Sequence, residues 1–297
     1  MKKLLLIINP VAGKLRARST LFDIVNEFCK ENYDVTTKVT QSRGHASDLA
    51  ASAEKNGFDT VVCVGGDGTL NEVITGLLRN SNKSNIKLGY IPAGSTNDFA
   101  DTLGLSPVAE VAARNIAKNS PIYLDIGKFC GDRNFSYIAS FGAFSAVSYS
   151  APQDLKNAFG HFAYLMCGLK ELGNIKSYKV NLTADGNSYS GTYIYGSVSN
   201  TTSVAGIVKL SDRIVDLKDG LFEVILVKKP KDLIQLNEII TGITLSDFSG
   251  EMFEFFKAKE IDFHMGKSVP WTLDGEKAEG GSEIHIENLS EAIKLLA

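Results

Sequence analysis

Thr60-Val61-Val62-Cys63-Val64 is an apolar, β-branched run that ends on Gly65-Gly66-Asp67-Gly68-Thr69, and Leu70-Asn71-Glu72 then opens a helical pattern. A strand, a bare-backbone loop and a helix start, in that order, make an anion site. The glycines let main-chain N–H groups approach a phosphate without side-chain obstruction. The helix start adds further donors and partial positive charge. Thr69 and Glu72 have the spacing of a capping box. Asp67 sets a carboxylate inside this site, where it repels phosphate unless a cation or a proton mediates. Mg2+ is the simplest mediator.

Four other loops carry candidate chemistry. Asn9-Pro10-Val11-Ala12-Gly13-Lys14 follows the first apolar run. It lacks the Walker A spacing, which argues against a P-loop NTPase; by itself it is also an ordinary strand-end turn. Ile91-Pro92-Ala93-Gly94-Ser95-Thr96-Asn97-Asp98 repeats the strand–turn–helix pattern, with Ser95 and Asp98 at capping spacing. Ser95, Thr96 and Asn97 offer hydroxyls and an amide for a base, ribose or phosphate, and Asp98 offers a second carboxylate for a metal. The plainer reading is a well-capped helix. Val269-Pro270-Trp271-Thr272-Leu273-Asp274-Gly275-Glu276 contains an Asp-Gly turn. Asp216-Leu217-Lys218-Asp219-Gly220-Leu221 is an acidic turn entering a strand, either an exposed loop or a site for a divalent cation.

The elements that must position these loops follow from periodicity. Strands are predicted at Leu4–Ile8, Asp34–Thr40, Thr60–Val64 and Lys87–Ile91. Helices are predicted at Ser19–Glu31, His45–Asn56, Leu70–Leu78 and Pro107–Lys118. Such alternation predicts a doubly wound, mostly parallel α/β domain over residues 1–125, with ligands at the carboxyl ends of its strands. From about Tyr123 the rhythm becomes short, alternating and aromatic-rich, at Ile122–Phe129, Asn134–Ser140, Tyr178–Ala184, Ser188–Ser199 and Leu221–Val227, with a turn at Asp185-Gly186-Asn187. Residues 126–289 are therefore expected to form an antiparallel β domain interrupted by one helix, Asp154–Gly173. Residues 290–297 read as a helix, capped by Ser290, that packs back on the first domain.

The chain has 297 residues and a net charge of −3, so nothing in its overall charge attracts nucleic acid. Cys29, Cys63, Cys130 and Cys167 are far apart and read as reduced thiols. No run approaches the ~18 apolar residues of a membrane span. The expectation is a cytoplasmic protein whose membrane contact, if any, is peripheral and transient.

The Gly65–Glu72 and Pro92–Ala100 loops together resemble the diacylglycerol kinase catalytic domain, specifically the bacterial soluble lipid kinases. Gly65-Gly66-Asp67-Gly68-Thr69 with Asn71-Glu72 resembles that family's nucleotide loop, and Pro92–Ala100 its companion. Asn9-Pro10 with Gly13, Gly160 with Ala163-Tyr164, Asp219-Gly220-Leu221 and Leu273-Asp274-Gly275-Glu276 fit as well. The resemblance implies ATP-dependent phosphorylation of a lipid hydroxyl, most simply that of diacylglycerol, between an α/β nucleotide domain and a β-sandwich domain. It implies ATP contacts from Asn9, Pro10, Val11, Ala12, Gly13, Thr40, Gly65, Gly66, Asp67, Gly68, Thr69, Leu70, Asn71, Ser95 and Asn97. Glu276 would accept the proton of the lipid hydroxyl. Asp67 would organise catalytic Mg2+, together with Asp98 and Asp274. Asp219, with the main-chain carbonyls of Asp216 and Leu221, would hold a structural Mg2+. The family's pattern is compatible with a homodimer. It departs here at Ala12, often Ser, and at Ser95, often Thr.

Two other functions share parts of this pattern. An NAD kinase has a similar Gly-Gly-Asp-Gly-Thr loop, but its Asn-Glu pair lies in a separate downstream motif. A non-catalytic nucleotide or lipid sensor would keep the fold. Phe248, Met252, Phe253, Phe255 and Phe256 form an apolar stretch that either packs in the core or rims an acyl-chain channel. Lys228, Lys229 and Lys231 form the one marked basic cluster.

Overall fold

From Leu4 onward, strand β1 (Lys2–Ile8) is buried on both faces, as suits a strand covered from two sides. β2 (Tyr33–Val39) and β3 (Thr60–Gly65) flank it in parallel, and β4 (Lys87–Pro92) continues parallel beyond β3. The spatial order is β4-β3-β1-β2. The computed structural model describes residues 1–12, 20–79, 81, 83–94, 97–131, 133–142, 175–201, 203–204, 208–209 and 216–297. The expected inserted helix, Asp154–Gly173, lies outside them.

Among the described residues, five helices connect or follow these strands: α1 (Leu21–Lys30), α2 (His45–Ala51), α3 (Asp67–Leu77), α4 (Asp98–Thr102) and α5 (Ala109–Lys118). The chain steps one way from β1 to β2 and then back across β1 to β3. Right-handed crossovers therefore put α1 and α2 on opposite faces. Packing agrees: α1 lies against α5, and α2 against α3. Ile24 and Phe28 of α1 and Ala113 and Ile116 of α5 meet Leu4, Leu6 and Ile8 of β1 and Val62 and Val64 of β3 in one core. The direction of winding reverses between β1 and β3, the kind of switch point at whose carboxyl ends open α/β sheets bind ligands.

The chain forms two compact units, Met1–Ile126 with Leu289–Ala297, and Gly127–Asn288. The second is antiparallel. β8 (Tyr178–Ala184), β9 (Asn187–Ser199), β12 (Phe222–Lys228) and β13 (Phe253–Ala258) pair in sequence. β7 (Ile138–Gly142) takes the other side of β9, and β15 (Trp271–Leu273) and β16 (Glu276–Ala278) continue from β7. β14 (Glu260–Met265) joins β8 to β17 (Glu283–Leu296). β5 (Ile122–Phe129) pairs with β6 (Arg133–Phe135), and two short strands, β10 (Ser203–Val204) and β11 (Val208–Lys209), pair with each other. The core is aromatic: the Trp271 ring lies 4.9 Å from Phe141, 5.2 Å from Phe263 and 5.4 Å from Phe129. Tilted and edge-on contacts of this kind suit aromatic quadrupoles.

The structure corrects the sequence reading in four places. Residues 290–297 are the last part of β17, not a helix. Lys294, Leu295 and Leu296 pair in parallel with Lys87, Leu88 and Gly89 of β4. Leu, Ala, Glu and Lys favour helix, but an open strand edge and a buried apolar pair outweigh propensity. Ser290 caps nothing there. Instead Glu291 adopts φ 50° and donates its N–H to Asp125 Oδ1 at 2.7 Å. The run Asn134–Ser140 is two strands, β6 and β7. A helix the sequence reading missed, α6 (Leu233–Leu245), follows β12; its signal was Asp232, whose carboxylate accepts from Gln235 N at 2.8 Å. Finally, Thr69 and Glu72 form no capping box, because α3 starts earlier, at Asp67, with Gly66 as N-cap. The aromatic stretch after α6 is largely core: Phe248 and Phe253 are buried in edge-on contact, at 5.3 Å. Cys29, Cys63 and Cys130 are free thiols.

Glu27 fastens α1 to α5. Its side chain is buried and accepts from Arg114 Nε at 2.9 Å and from Lys30. The Arg114 guanidinium, then the Lys30 ammonium, hold the carboxyl at about 2, below its ordinary 4.5. A lowered folded-state pKa stabilises above the unfolded value and is lost as pH falls through the folded one. Glu27→Gln is therefore expected to lower Tm at pH 7. The difference from the wild type should shrink as pH is taken from 4.5 to 2 in thermal melts; a constant difference would assign the effect to packing.

Candidate active site

In the first unit, four candidate loops leave the carboxyl ends of neighbouring strands β4, β3, β1 and β2. The tightest meeting is between the first two. Gly65 O accepts from Ala93 N at 2.7 Å. A Cβ built on Gly94 would stand 2.6 Å from Gly66 Cα, and one on Gly66 would stand 3.1 Å from Gly94 Cα. Only two bare α-carbons pass this closely, so the glycines are needed for loop-to-loop contact as well as for any ligand.

Asn97 closes the β4–α4 loop from within. It takes φ 57° and accepts Gly94 N–H on Oδ1 at 2.8 Å, while its Nδ2 donates to Gly94 O at 3.1 Å. Tyr90, buried in β4, ties this loop to the next. Its hydroxyl lies 3.3 Å from Asn97 Oδ1 and 3.4 Å from Asp67 Oδ1, and its single proton serves one of them at a time. No motif in the sequence marks Tyr90. It reads as one more apolar strand residue.

Asp67 is the first residue of α3, where an acidic side chain suits the helix dipole. Its neighbour in β3, Cys63, is buried, and burial pushes the thiol well above its ordinary pKa, with the Asp67 and Glu72 carboxylates adding to the shift. Cys63 is thus a packing residue. Thr69 Oγ1 accepts from Asn9 Nδ2 at 2.9 Å, which joins the β1 loop to the start of α3. Asn9 also braces its own turn, since Oδ1 accepts Val11 N–H at 3.1 Å and the carbonyl accepts Ala12 N–H at 3.3 Å. Glu72 Oε1 accepts Gly44 N–H at 2.8 Å, and Thr40 N donates to Ile8 O at 2.8 Å, so the loops beyond β2 are anchored to the same end. Leu70 is buried, which confines any ligand contact it makes to its main chain. Val11 is exposed. Asn9, Thr40, Gly65, Gly66, Asp67, Thr69 and Asn97 are thus gathered by adjacent strand ends. Gly13 and Ser95 lie outside the described residues, as does the Asp98 side chain.

The candidates in the second unit form two separate groups. Leu273 and Glu276 face each other across the two-residue turn Asp274-Gly275, both of whose residues have positive φ (47° and 79°), the geometry of a tight hairpin. Glu276 is exposed at the start of β16. Asp274 is buried and fully engaged. Its Oδ2 accepts Ser136 N–H at 2.6 Å, and its Oδ1 accepts Tyr137 and Ile138 N–H at 3.0 and 3.1 Å. The sequence marks Asp274 as a functional carboxylate. The structure makes it the clamp between this hairpin and the segment entering β7.

The acidic loop before β12 is the other group. Asp216 Oδ1 accepts Lys218 N–H at 3.2 Å, and Asp219 Oδ1 accepts Leu221 N–H at 3.0 Å. Lys257 Nζ stands 2.9 Å from Asp219 Oδ2 and 3.1 Å from Glu223 Oε1. Both oxygens of Asp219 are therefore in use, and a dication bound there would have to displace the ammonium. Glu223 is fully buried, and burial pushes its carboxyl up to about 7 against the opposing pull of Lys257. Sequence reading missed both Glu223 and Lys257, because each looks like an ordinary alternating strand residue.

A family model described as the diacylglycerol kinase catalytic domain matches residues 3–129. A diacylglycerol kinase of Bacillus subtilis (strain 168) is 31% identical over 282 residues, which cover 93% of this chain and 90% of that protein. One from Staphylococcus aureus (strain MRSA252) is 32% identical over 276 residues, 93% of this chain and 86% of that protein. A crystal structure of a diacylglycerol kinase from Bacillus anthracis str. Sterne superposes with a TM-score of 0.74 at 24% identity, over 99% of this chain and 96% of that one. Another solved chain from the same organism gives a TM-score of 0.81 at 26% identity, over 99% and 96%.

Two outcomes follow from this geometry. Gly94→Ala forces a methyl group onto the Gly66 backbone and is expected to destabilise the first unit by about 1–3 kcal/mol, the usual cost of overpacking, in denaturant unfolding. Unchanged stability would mean that the loops part freely. Lys257→Met leaves Glu223 without its cation. A raised folded-state pKa means that native Glu223 keeps its proton below about 7, so the ammonium matters most where the carboxyl ionises. The Tm loss should be small at pH 5 and clearly larger at pH 8.

Proposed function

Because the chain belongs to the diacylglycerol kinase family, we propose that it transfers the γ-phosphate of ATP to the hydroxyl of diacylglycerol and so forms phosphatidic acid. The observation that carries this reading is the backbone contact between the Gly65–Asp67 and Ala93–Asn97 junctions. It sets two glycine loops and a helix N-terminus at one strand end, which suits a polyphosphate.

In this reading residues 1–125 bind ATP and residues 126–289 hold the lipid acceptor. Asn9 to Gly13, Thr40, Gly65 to Asn71, Ser95 and Asn97 line the nucleotide. The donor chemistry at the end of β3 fits Mg2+, a hard cation that takes carboxylate and phosphate oxygens. Asp67 would hold it, with Asp98 as the second carboxylate. Bound there, the ion would supply neutralisation of the charge that develops on the transferred group. The loop at Asp216, Asp219 and Leu221 would take a structural Mg2+ only in place of Lys257, and no chemical step depends on it.

Glu276 receives the proton of the lipid hydroxyl. A carboxylate within hydrogen-bond reach helps an alcohol whose own pKa lies far above 7. The lipid oxygen then bonds to the γ-phosphorus as the bridging β–γ P–O bond breaks, and ADP leaves with that electron pair. Asp274 acts one step back, as a positioning residue that fixes the turn before Glu276. The phenol of Tyr90 holds Asp67 and Asn97 in register. The acceptor is a membrane lipid, so turnover includes a transient peripheral contact with the bilayer.

The test is transfer of radiolabelled phosphate from ATP with Mg2+ to diacylglycerol in mixed micelles, with NAD offered in parallel. Asp67→Asn and Glu276→Gln are each expected to reduce kcat about 100-fold or more while the protein stays folded. Chelation of the metal should abolish transfer. Label in NAD alone, or near-normal turnover by Asp67→Asn, would overturn the assignment.

A further inference from the structure

Helix α6 has an outward face without a charge on it. Its sequence from Leu233 to Leu245 contains one ionisable residue, Glu238, and Glu238 Oε1 accepts Met252 N–H at 3.1 Å. Leu236, Ile239 and Ile243 point into the second unit. On the other side Leu233, Ile234 and Leu245 are 71%, 82% and 69% exposed. At 100° per residue, Leu233, Ile234 and Leu245 fall within one 120° arc, and only Asn237, Thr241 and Thr244 share it. Soluble helices normally put charge on that side.

The charge lies at one end of the helix. Lys228, Lys229 and Lys231 precede α6 and line a cavity of about 900 Å3 with Ser190, Thr192 and Gln235. Lys228 is taken by Glu254, at 2.8 Å, and by the Glu251 carbonyl. Lys229 and Lys231 are anchored through their main chains, Lys229 N to Thr192 O at 2.9 Å and Lys231 N to Gln235 Oε1 at 2.8 Å. Their backbones are thereby fixed two and four residues ahead of the exposed Leu233-Ile234 tip. An apolar, uncharged helix face with lysines beside the capping Asp232 at its start complements one surface in particular, the interface of an anionic bilayer. Acyl boundary there receives Leu and Ile, and headgroup phosphates receive Lys.

We propose that α6 and the lysines before it are a docking patch for anionic phospholipid membranes, with Leu233 and Ile234 entering the interface and Lys229 and Lys231 pairing with headgroup phosphates. This deepens the lipid-kinase reading, because it names the surface on which the acceptor is met, and it rests on that reading only for its purpose. Two apolar side chains and two lysines bury far less than a lipid chain or a spanning helix, which suits transient rather than permanent anchoring.

The test needs neither ATP nor diacylglycerol. The full chain is sedimented with vesicles of equimolar phosphatidylglycerol and phosphatidylcholine, and with vesicles of phosphatidylcholine alone. Binding is expected only to the anionic vesicles and should fall as salt rises. The double variants L233D/I234D and K229E/K231E should each weaken it about tenfold or more with Tm unchanged. No binding by the wild type, or wild-type binding by both variants, would overturn the proposal. So would a change confined to the elution volume of L233D/I234D, since that assigns the face to a second copy of the chain. Wild-type transfer to micellar diacylglycerol, measured separately, reports on the kinase reading and does not depend on this patch.

Discussion

The approach of two α-carbons, Gly66 and Gly94, is the constraint on which the first unit turns. Parallel strands sit about 4.8 Å apart, and the loops that leave β3 and β4 would ordinarily diverge. Here the Ala93 N–H reaches the Gly65 carbonyl, the last bond of the ladder that pairs Gly65 with Pro92, so the sheet holds the two chains together up to the point where their loops begin. The contacts nearby build on that closure. Asn97 can fold back on Gly94, Tyr90 can reach both junctions, and α3 can start at Asp67 rather than a turn later. Rigid strands thereby hand their precision to segments with no regular structure of their own.

The second unit solves a comparable problem with a side chain. Asp274 spends its carboxylate on three successive main-chain N–H groups, which would otherwise be buried donors without partners. The cost of leaving such donors unpaired is what fixes the hairpin against β7. Glu276 inherits its place from that arrangement, as the first residue after a turn that cannot shift. The two acidic residues of one short motif thus differ in kind, since one is buried and saturated and the other is exposed.

Much of this was legible in the sequence. The alternation of apolar runs and turn residues up to about Lys118 marks the α/β unit because β1, β3 and β4 are apolar on both faces, the edge strand β2 is polar, and each helix is apolar on one face. The glycine loops were legible because three glycines around an aspartate stand out at the end of an apolar run, although the packing of Gly66 on Gly94 that also requires glycine was not. What stayed hidden depends on partners far away in the chain. Residues 290–297 have helical composition, and only the open edge of β4 makes them a strand. Tyr90, Glu223 and Lys257 look ordinary in their strands; their importance comes from what lies across from them. The capping spacing of Thr69 and Glu72 was real but misread, because Asn9 and Gly44 claim those side chains. α6 was missed because its apolar residues go all the way round, which blurs the period that reveals most surface helices.

β17 ends by pairing with β4, yet the whole second unit is threaded between them in the chain. That edge of the first unit's sheet is therefore closed by residues made after the whole second unit. Until they emerge from the ribosome, β4 presents a row of unpaired N–H and C=O groups, the kind of edge that recruits strands from other molecules. A nascent chain in that state has one half waiting on the other, and so depends on the second unit reaching its form quickly. The same threading means that cutting the chain after Ile126 would not liberate an independent module but a sheet with an exposed seam.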